Sequence, residues 1–344
     1  MIAILKKHWP SLFIIINLIA VVIVVVLDPE LRNIGIVLHT AEHRWLFFAL
    51  AATVIYTFLD GFAQHRMIQR LVGKQSVFRW LKITLLASYY NAITPFSSGG
   101  QPILLMHMHR YGIPFGYSSY VVFFRYFTYQ IAMFCVTVVA FILQGPAMIA
   151  QSKMMFAAFL IGAIVNFVLP FLLYAALRSK KAIPAFFNWI SHLMTKWHLV
   201  RSRDKLEATL DKHLADFRTA FSFEGRKTSD IIWLFVCGLV QVLALGSVAY
   251  CVYRALGLQD ALYFDVAAMT LLLIVSVSYM PTPGASGASE GGFYLLFTIF
   301  FPRSLITLGM LLWRLFTYYA ILAMGAICLL AETITGRWNR SKSV

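Results

Sequence analysis

The sequence predicts an all-α polytopic membrane protein with six full spans, two oppositely oriented re-entrant helical hairpins and an inverted repeat. Three observations support this fold class: an apolar composition, apolar runs long enough to cross a bilayer, and two interrupted runs followed by the same motif. Of the 344 residues, 60% are apolar and only 12% are charged, and the mean hydropathy is +0.76. This composition excludes a soluble enzyme or a DNA-binding protein. The net charge of +15 does not indicate a nucleic-acid partner, because the basic residues lie between the apolar runs.

The six full spans are predicted from runs of roughly 20 apolar residues, the length that a helix needs to cross the hydrocarbon layer. The first run follows Lys6 and Lys7 as a signal peptide would, but no small-residue cleavage site precedes Asp28, so we expect it to be retained. The predicted spans are Ser11–Leu27, Trp45–Leu59, Phe115–Leu143, Met154–Leu177, Ile231–Tyr253 and Leu305–Ala331.

Two further apolar regions are interrupted by proline and glycine. Leu81–Met108 is broken at residues 91–102, and Phe264–Phe301 is broken at residues 281–292. Proline removes an amide donor and glycine relaxes the backbone, so each region is expected to split into two half-helices. Irregular chain at membrane depth is tolerated only where protein or a water-filled cavity satisfies its backbone.

The distribution of Lys and Arg predicts the orientation of the chain. The connections at residues 60–82 and 178–230 are rich in both, whereas residues 28–44, 144–153 and 254–265 hold few and are expected outside. Both termini are then cytoplasmic. With this sidedness each broken region must enter and leave on one face, and the two must enter from opposite faces, which makes them re-entrant hairpins.

An internal repeat supports the inverted arrangement. The first break is followed by Arg125-Tyr-Phe-Thr-Tyr129 and the second by Arg314-Leu-Phe-Thr-Tyr318. Pro95 lies 30 residues before Arg125, and Pro283 lies 31 residues before Arg314. Inverted repeats with broken helices at matching positions indicate a transport site near the midplane. The predicted division is a first membrane repeat at 1–178, a cytoplasmic insert at 179–230, a second repeat at 231–335 and a basic tail at 336–344.

The insert carries two amphipathic stripes. Such helices either lie on the anionic inner leaflet through their basic faces or form a hairpin packed on the protein itself. The stripes are Ile190, Leu193, Met194 and Trp197, then Leu206, Leu210, Leu214, Phe217 and Phe221.

Charges inside the membrane are the first candidates for function, because each costs at least about 2.5 kcal/mol unless it is paired or hydrated. Arg125 and Arg314 lie about three turns inside their spans, and a guanidinium presents a planar fork of donors that suits phosphate oxygens. Alternatively each arginine reaches an interface or pairs with Glu290 for structure alone. Glu290 could hold an arginine, attract a cationic headgroup or take up a proton. Asp60, expected at the end of its span, either meets a headgroup or is simply solvated.

The breaks add neutral groups around these charges. Tyr129 and Tyr318 lie four residues beyond each arginine and either line the site or only pack. Hydroxyls, amides and backbone donors at half-helix N-termini complete a predicted site for a phosphate carried on a lipid. No metal, cofactor or nucleotide site is expected from the cysteine, histidine and glycine patterns. The candidates in the breaks are Asn91, Ser97, Ser98, Gly99, Gly100, Gln101, Thr282, Gly284, Ser286, Gly287 and Ser289.

The break motifs also carry a family resemblance. Over roughly Lys6 to Thr335 the chain resembles the flippase-like transmembrane region of the lysylphosphatidylglycerol synthase family, the multiple peptide resistance factors of bacteria. The resemblance implies a bacterial cytoplasmic membrane and assigns Arg125, Glu290 and Asp60 to headgroup handling. The motifs are Thr94-Pro95, Ser98-Gly-Gly-Gln-Pro102, Tyr111-Gly112, Pro281-Thr-Pro-Gly284, Gly287 and Glu290-Gly291.

Full-length members of that family carry a soluble domain that transfers an aminoacyl group to phosphatidylglycerol. This chain ends about a dozen residues after its last predicted span, so we expect no enzyme activity. The first hypothesis is a flippase for an anionic or aminoacylated phospholipid, such as lysyl-phosphatidylglycerol, or for a polyprenyl-phosphate lipid. The alternative is a non-transporting lipid-binding subunit of a separate phosphatidylglycerol lysyltransferase or glycosyltransferase. An ion-coupled transporter of small solutes ranks third, and a homodimer remains open.

Overall fold

A computed structural model of the protein describes residues 41–178 and 228–334, and within these ranges the chain is helical with no strand. Single π turns at Ile164–Val168 and Leu315–Tyr319 join helix Lys153–Ala163 to Leu169–Arg178 and helix Arg303–Arg314 to Ala320–Ile334. The first half contains α1 His43–Val72, α2 Val77–Ile93, α3 Gly100–Arg110, α4 Phe115–Gln151, α5 Lys153–Ala163 and α6 Leu169–Arg178. The second half contains α7 Thr228–Ala255, α8 Tyr263–Val277, α9 Ala288–Leu296, α10 Arg303–Arg314 and α11 Ala320–Ile334.

Five helices of the described chain are long and apolar enough to cross a membrane, and they match five of the predicted spans. The sixth prediction, Ser11–Leu27, lies outside the described residues, as do residues 179–227 of the insert. The matching helices are His43–Val72, Phe115–Gln151, Lys153–Leu172, Thr228–Ala255 and Arg303–Ala331.

Two helices extend further than the sequence predicted. α1 does not end at Leu59 but continues to Val72, where Gly73 leaves the helix at φ 85°. Polar residues after Leu59 can continue a helix as well as apolar ones, and only the glycine ends it. Asp60 therefore lies in the middle of α1 and not at its end. α4 likewise continues through Pro146 to Gln151, so most of the expected connection at residues 144–153 is helical.

Both predicted interruptions are present as short 3₁₀ turns, at Pro95–Ser97 and Pro283–Ala285. In the first break the side chains of Asn91 and Thr94 replace the lost helical partners. Asn91 Oδ1 accepts from the backbone N–H of Gly100 at 2.7 Å, and Thr94 Oγ1 accepts from that of Gly99 at 2.8 Å. In the second break the Glu290 carboxylate accepts from the N–H of Gly287 at 2.6 Å and caps α9.

The two breaks share an uncommon backbone conformation. The residue after each proline is left-handed: Phe96 has φ 55° and ψ 18°, and Gly284 has φ 59° and ψ 19°. Gly284 also approaches Tyr318 so closely that a Cβ would lie 2.2 Å from the ring. Glycine meets both demands without strain, whereas Phe96 adopts the same conformation at an energetic cost.

The two breaks pack against each other. The hydroxyl of Tyr318, beyond the second break, donates to the backbone oxygen of Ala92, before the first break, at 3.2 Å. Ala92, Ile93, Tyr318 and Leu322 form a small buried cluster around this bond. Residues far apart in sequence are thereby joined at one point.

Small residues allow the long helices to approach closely, which is how helices associate in lipid. α7 packs along α1 and α4, and α8 packs on α4 and α5. At the contact of α5 with α8, Gly162 lies so close that a Cβ would be 1.9 Å from the backbone oxygen of Val275. Large apolar side chains such as Ile142, Leu172 and Ile327 remain exposed, as expected of surfaces that face lipid.

Candidate functional site

A cavity of about 740 Å³, lined by charged, polar and apolar side chains, lies between the two breaks and the helices α1, α2, α4, α7 and α8. It brings together ten of the seventeen residues proposed from sequence, including both intramembrane arginines. These ten are Asp60, Asn91, Ser97, Gln101, Arg125, Tyr129, Gly284, Ser289, Arg314 and Tyr318. The other seven lie in the breaks or beside them but do not line the cavity: Ser98, Gly99, Gly100, Thr282, Ser286, Gly287 and Glu290.

Arg125 is buried on α4, and its side chain is only 3% exposed. Its Nε lies 3.0 Å from Oδ1 of Asp60, while its Nη2 donates to Oε1 of Gln241 on α7. Gln241 is itself fixed, because its Nε2 donates to the backbone oxygen of Tyr56 at 2.7 Å. Nη1 is buried and has no hydrogen-bond partner among the described residues. Nε also forms no hydrogen bond that meets the geometric criteria, although it lies beside Asp60 in the ion pair, so two nitrogens of this guanidinium are buried without a hydrogen bond.

Asp60 is the more exposed member of this ion pair. Its side chain is 32% exposed and lines the cavity, in contrast to the 3% of Arg125. Oδ2 accepts from Nε2 of Gln64, one turn further along α1, at 2.7 Å. The carboxylate is thus held by an arginine on one side and an amide on the other, with a face open to the cavity.

Arg314 forms the second ion pair, with Nε 2.6 Å from Oε1 of Glu290. Its Nη2 donates to the backbone oxygen of Gly284 at 3.1 Å and to Oγ of Ser286 at 3.2 Å. Its guanidinium also lies 4.6 Å from the ring centre of Tyr318, within the range of a cation–π contact. The π turn that begins at Leu315 follows Arg314 directly, and π turns occur often at functional sites.

The two pairs are not equivalent by symmetry. The arginines occupy matching positions in the repeated motif, but their acids come from different elements. Glu290 lies seven residues after Pro283, whereas the residue seven after Pro95 is Pro102. Arg125 therefore cannot find a matching acid and pairs with Asp60 from the unbroken α1 instead. Pairing with Glu290, which the sequence offered for either arginine, occurs only for Arg314.

Sequence reasoning missed the buried amides around the cavity. Gln241 binds Arg125, and Nε2 of Gln130 donates to the backbone oxygen of Asn166 at 2.9 Å. Asn166 in turn donates to the hydroxyl of Ser278 after α8. A side-chain amide inside an otherwise apolar span costs free energy unless it forms hydrogen bonds. The positions of these amides in the sequence could therefore have identified them as candidates.

The cavity therefore places two ion-paired arginines at one site within an apolar protein. Its two guanidiniums offer donors to an oxyanion, and each is paired with a carboxylate, Asp60 in the lining and Glu290 outside it. Within residues 41–178 and 228–334, no three His, Cys, Asp or Glu side chains lie close enough together to hold a metal ion. The donor set suits a phosphate or carboxylate ligand.

Comparison with known proteins agrees with this architecture. Residues 11–325 match the model of a family described as the lysylphosphatidylglycerol synthase TM region. A protein named UPF0104 membrane protein, from Archaeoglobus fulgidus, is 26% identical over 309 residues, which cover 87% of this chain and 90% of that relative. The chain is thus a multi-pass membrane protein that belongs to the lysylphosphatidylglycerol synthase transmembrane-region family.

Proposed function

We propose that the protein is a flippase-like transporter that moves an anionic or aminoacylated phospholipid, or a polyprenyl-phosphate lipid, between leaflets. One observation carries the proposal: Arg125 and Arg314, the two arginines of the repeated motif, line a single cavity bounded by two helix breaks. A binding site at broken helices is the arrangement that transporters of this architecture use. The lipid phosphate enters the cavity while its hydrocarbon chains stay in the bilayer.

The proposed topology has two re-entrant hairpins related by an inverted repeat of residues 1–178 and 231–335. Three of the four helices that flank the breaks have 15 residues or fewer, which is short for a full crossing. The breaks contact each other, as hairpin tips entering from opposite faces would. Phe96 and Gly284, at matching repeat positions, also share one backbone conformation. Both termini and the insert face the cytoplasm in this arrangement, with the insert on the anionic leaflet.

A phosphate is the ligand that best fits the donors in the cavity. A guanidinium can hold two oxygens of one phosphate. Tyr129 and Tyr318 place aromatic faces beside the two arginines, at 5.8 and 4.6 Å from ring centre to guanidinium. An aminoacyl ammonium would find Asp60 on the same wall. The volume of about 740 Å³ is typical of ligand sites.

Transport can be measured with vesicles that contain the purified protein and a fluorescent phosphatidylglycerol. A membrane-impermeant reductant quenches only the outer leaflet, so flipping appears as quenching beyond half of the signal. Arg314→Gln removes a charge-assisted contact worth about 1.5–3 kcal/mol and should slow flipping about 10- to 100-fold. Arg44→Gln is the matched control, because Arg44 is 69% exposed and pairs with Glu42 away from the cavity. Equal rates in all three proteins, or none in any, would refute the proposal.

A second candidate is a lipid-binding subunit that presents its ligand to a separate transferase or glycosyltransferase without moving it. The close Arg314–Glu290 pair favours this reading, because a guanidinium already held at three points suits a fixed binding site. In that case the wild type binds fluorescent phosphatidylglycerol and does not flip it. Deletion of residues 179–227 would then abolish binding of the transferase and leave lipid binding intact.

A further inference from the structure

We infer that Gln130 and Tyr126 on α4 form a subsite for a hydroxyl group, so that the lipid bound in the cavity carries glycerol or a sugar on its phosphate. This inference rests on the proposed function and narrows its substrate class. Its starting point is the hydrogen bonding of the amides that line the cavity. Gln241 uses both ends of its amide and Oε1 of Gln64 is buried, whereas Gln130 keeps one accessible acceptor.

The amide of Gln130 is held in one orientation. The residue is only 3% exposed, and its Nε2 donates to the hydroxyl of Tyr126 and to the backbone oxygen of Asn166, both at 2.9 Å. A backbone oxygen can only accept, which fixes the nitrogen and the oxygen of this amide. Oε1 is therefore the free end. It accepts no hydrogen bond in the described chain and, unlike Oε1 of Gln64, it is not sealed by its neighbours.

A free acceptor at the cavity wall requires a donor on the ligand. Tyr126 supplies the complementary group, because its hydroxyl accepts from Gln130 and its own proton has no acceptor among the described residues. A ligand hydroxyl can accept from Tyr126 and donate to Gln130 at the same time. An ester or phosphodiester oxygen cannot do this, since it only accepts.

The phosphate has a separate place at the second break. Nη2 of Arg314 is used by Gly284 and Ser286, but its Nη1 is accessible and has no partner in the described chain. Oγ of Ser289, on α9, is likewise accessible and without a partner within these residues. By contrast, Nε and Nη1 of Arg125 are buried. The cavity thus offers donors for an anion on one element and an acceptor for a neutral donor on another.

The surroundings of Gln130 are uncharged. Asn166, which holds its amide, also donates to the hydroxyl of Ser278, and no charged side chain of the described chain bonds to Gln130, Tyr126 or Asn166. A charged ammonium is best met by a carboxylate, whereas an amide and a phenol suit a neutral hydroxyl. Asn166 lies in the π turn Ile164–Val168, and such turns occur often at functional sites.

The test measures how well unlabelled lipids displace phosphatidylglycerol with a fluorescent acyl chain from the purified protein in neutral detergent. Phosphatidylglycerol and phosphatidylpropanol have the same charge and nearly the same size, but only the first carries hydroxyls. The wild type should prefer phosphatidylglycerol about 30-fold, from two neutral hydrogen bonds that contribute about 5-fold each. Phosphatidylinositol should also be preferred over phosphatidylpropanol, and the tighter of the two hydroxylated lipids distinguishes glycerol from a sugar-like ring.

Four variants separate the hydroxyl subsite from the rest of the cavity. Tyr126→Phe should reduce the preference about 5-fold, and Gln130→Leu should abolish it. Arg314→Gln should weaken the binding of both lipids by the same factor and keep their ratio. Gln144→Leu is the matched control, because Gln144 lies on the same helix but donates to Asp265 outside the cavity at 2.7 Å. A loss of packing weakens both lipids alike and does not change the ratio.

The wild type alone can overturn the inference, so the test does not depend on the folding of any variant. Equal affinity for phosphatidylglycerol and phosphatidylpropanol overturns it. So does a preference that both Gln130→Leu and Tyr126→Phe retain, or tighter binding of phosphatidylethanolamine, which would assign Oε1 of Gln130 to an ammonium. Flipping in vesicles together with equal affinities refutes the hydroxyl subsite alone. A preference for hydroxylated lipids without flipping refutes transport and leaves the subsite.

Discussion

Gly284→Ala tests whether the second break requires glycine for both its backbone and its neighbour. Gly284 has φ 59°, and an added Cβ would lie 2.2 Å from Cε2 of Tyr318. The ring must then move away, which stretches the hydrogen bond from its hydroxyl to Ala92 and the contact with Arg314.

The magnitude follows from three contributions. A side chain at this positive φ costs about 1–2 kcal/mol, and forcing a methyl group into a packed site costs about 1–3 kcal/mol. Loss of the buried hydrogen bond of Tyr318 adds about 1 kcal/mol. Gly284→Ala should therefore lower the free energy of unfolding by about 3–6 kcal/mol.

Reversible unfolding by sodium dodecyl sulfate in mixed micelles, followed by circular dichroism, measures this loss. Gly257→Ala is the control, because Gly257 also has a positive φ, 78°, but nothing lies within 4 Å of its Cβ position. It should lose only about 1–2 kcal/mol. The double variant Gly284→Ala/Tyr318→Ala should lose less than the sum of the two single variants, because the clash is gone. The reasoning is wrong if Gly284→Ala is no less stable than Gly257→Ala.

Three further variants test the packing around the breaks by the same unfolding assay. Tyr318→Phe removes only the hydroxyl that bonds Ala92 and should cost about 1 kcal/mol; no loss would mean that this bond is not formed in the membrane. Gly162→Val forces α5 away from the backbone of Val275 and should cost about 3 kcal/mol or more, with wild-type stability contradicting the close approach. Phe96→Gly should gain up to about 1 kcal/mol, because it relieves a positive φ at a side chain that is 59% exposed; a clear loss would show that the phenyl ring is needed.

The sequence was sufficient for the features that depend on local chemistry. Runs of apolar residues predicted the five long helices, and Pro95 and Pro283 with their glycines predicted the interruptions. The bounds were less accurate where polar residues continue a helix, which is why α1 extends past Asp60 to Val72.

The candidate site was predictable only in part, because its pairs form between distant elements. Arg314 and Glu290 flank one short connection, so their pairing could be anticipated. Arg125 and Asp60 lie on two long helices, and their contact depends on how α1 packs against α4. Gln241 was missed for the same reason, since its role appears only when α7 meets both of these helices.

The hydrogen bond between Tyr318 and Ala92 also connects the two breaks physically. Its two ends belong to opposite halves of the molecule, 226 residues apart, and it lies where the broken segments touch. A shift of one segment therefore requires either a shift of the other or loss of this bond and of the small cluster around it. If the protein transports lipid as proposed, this contact would couple the movements of the two breaks.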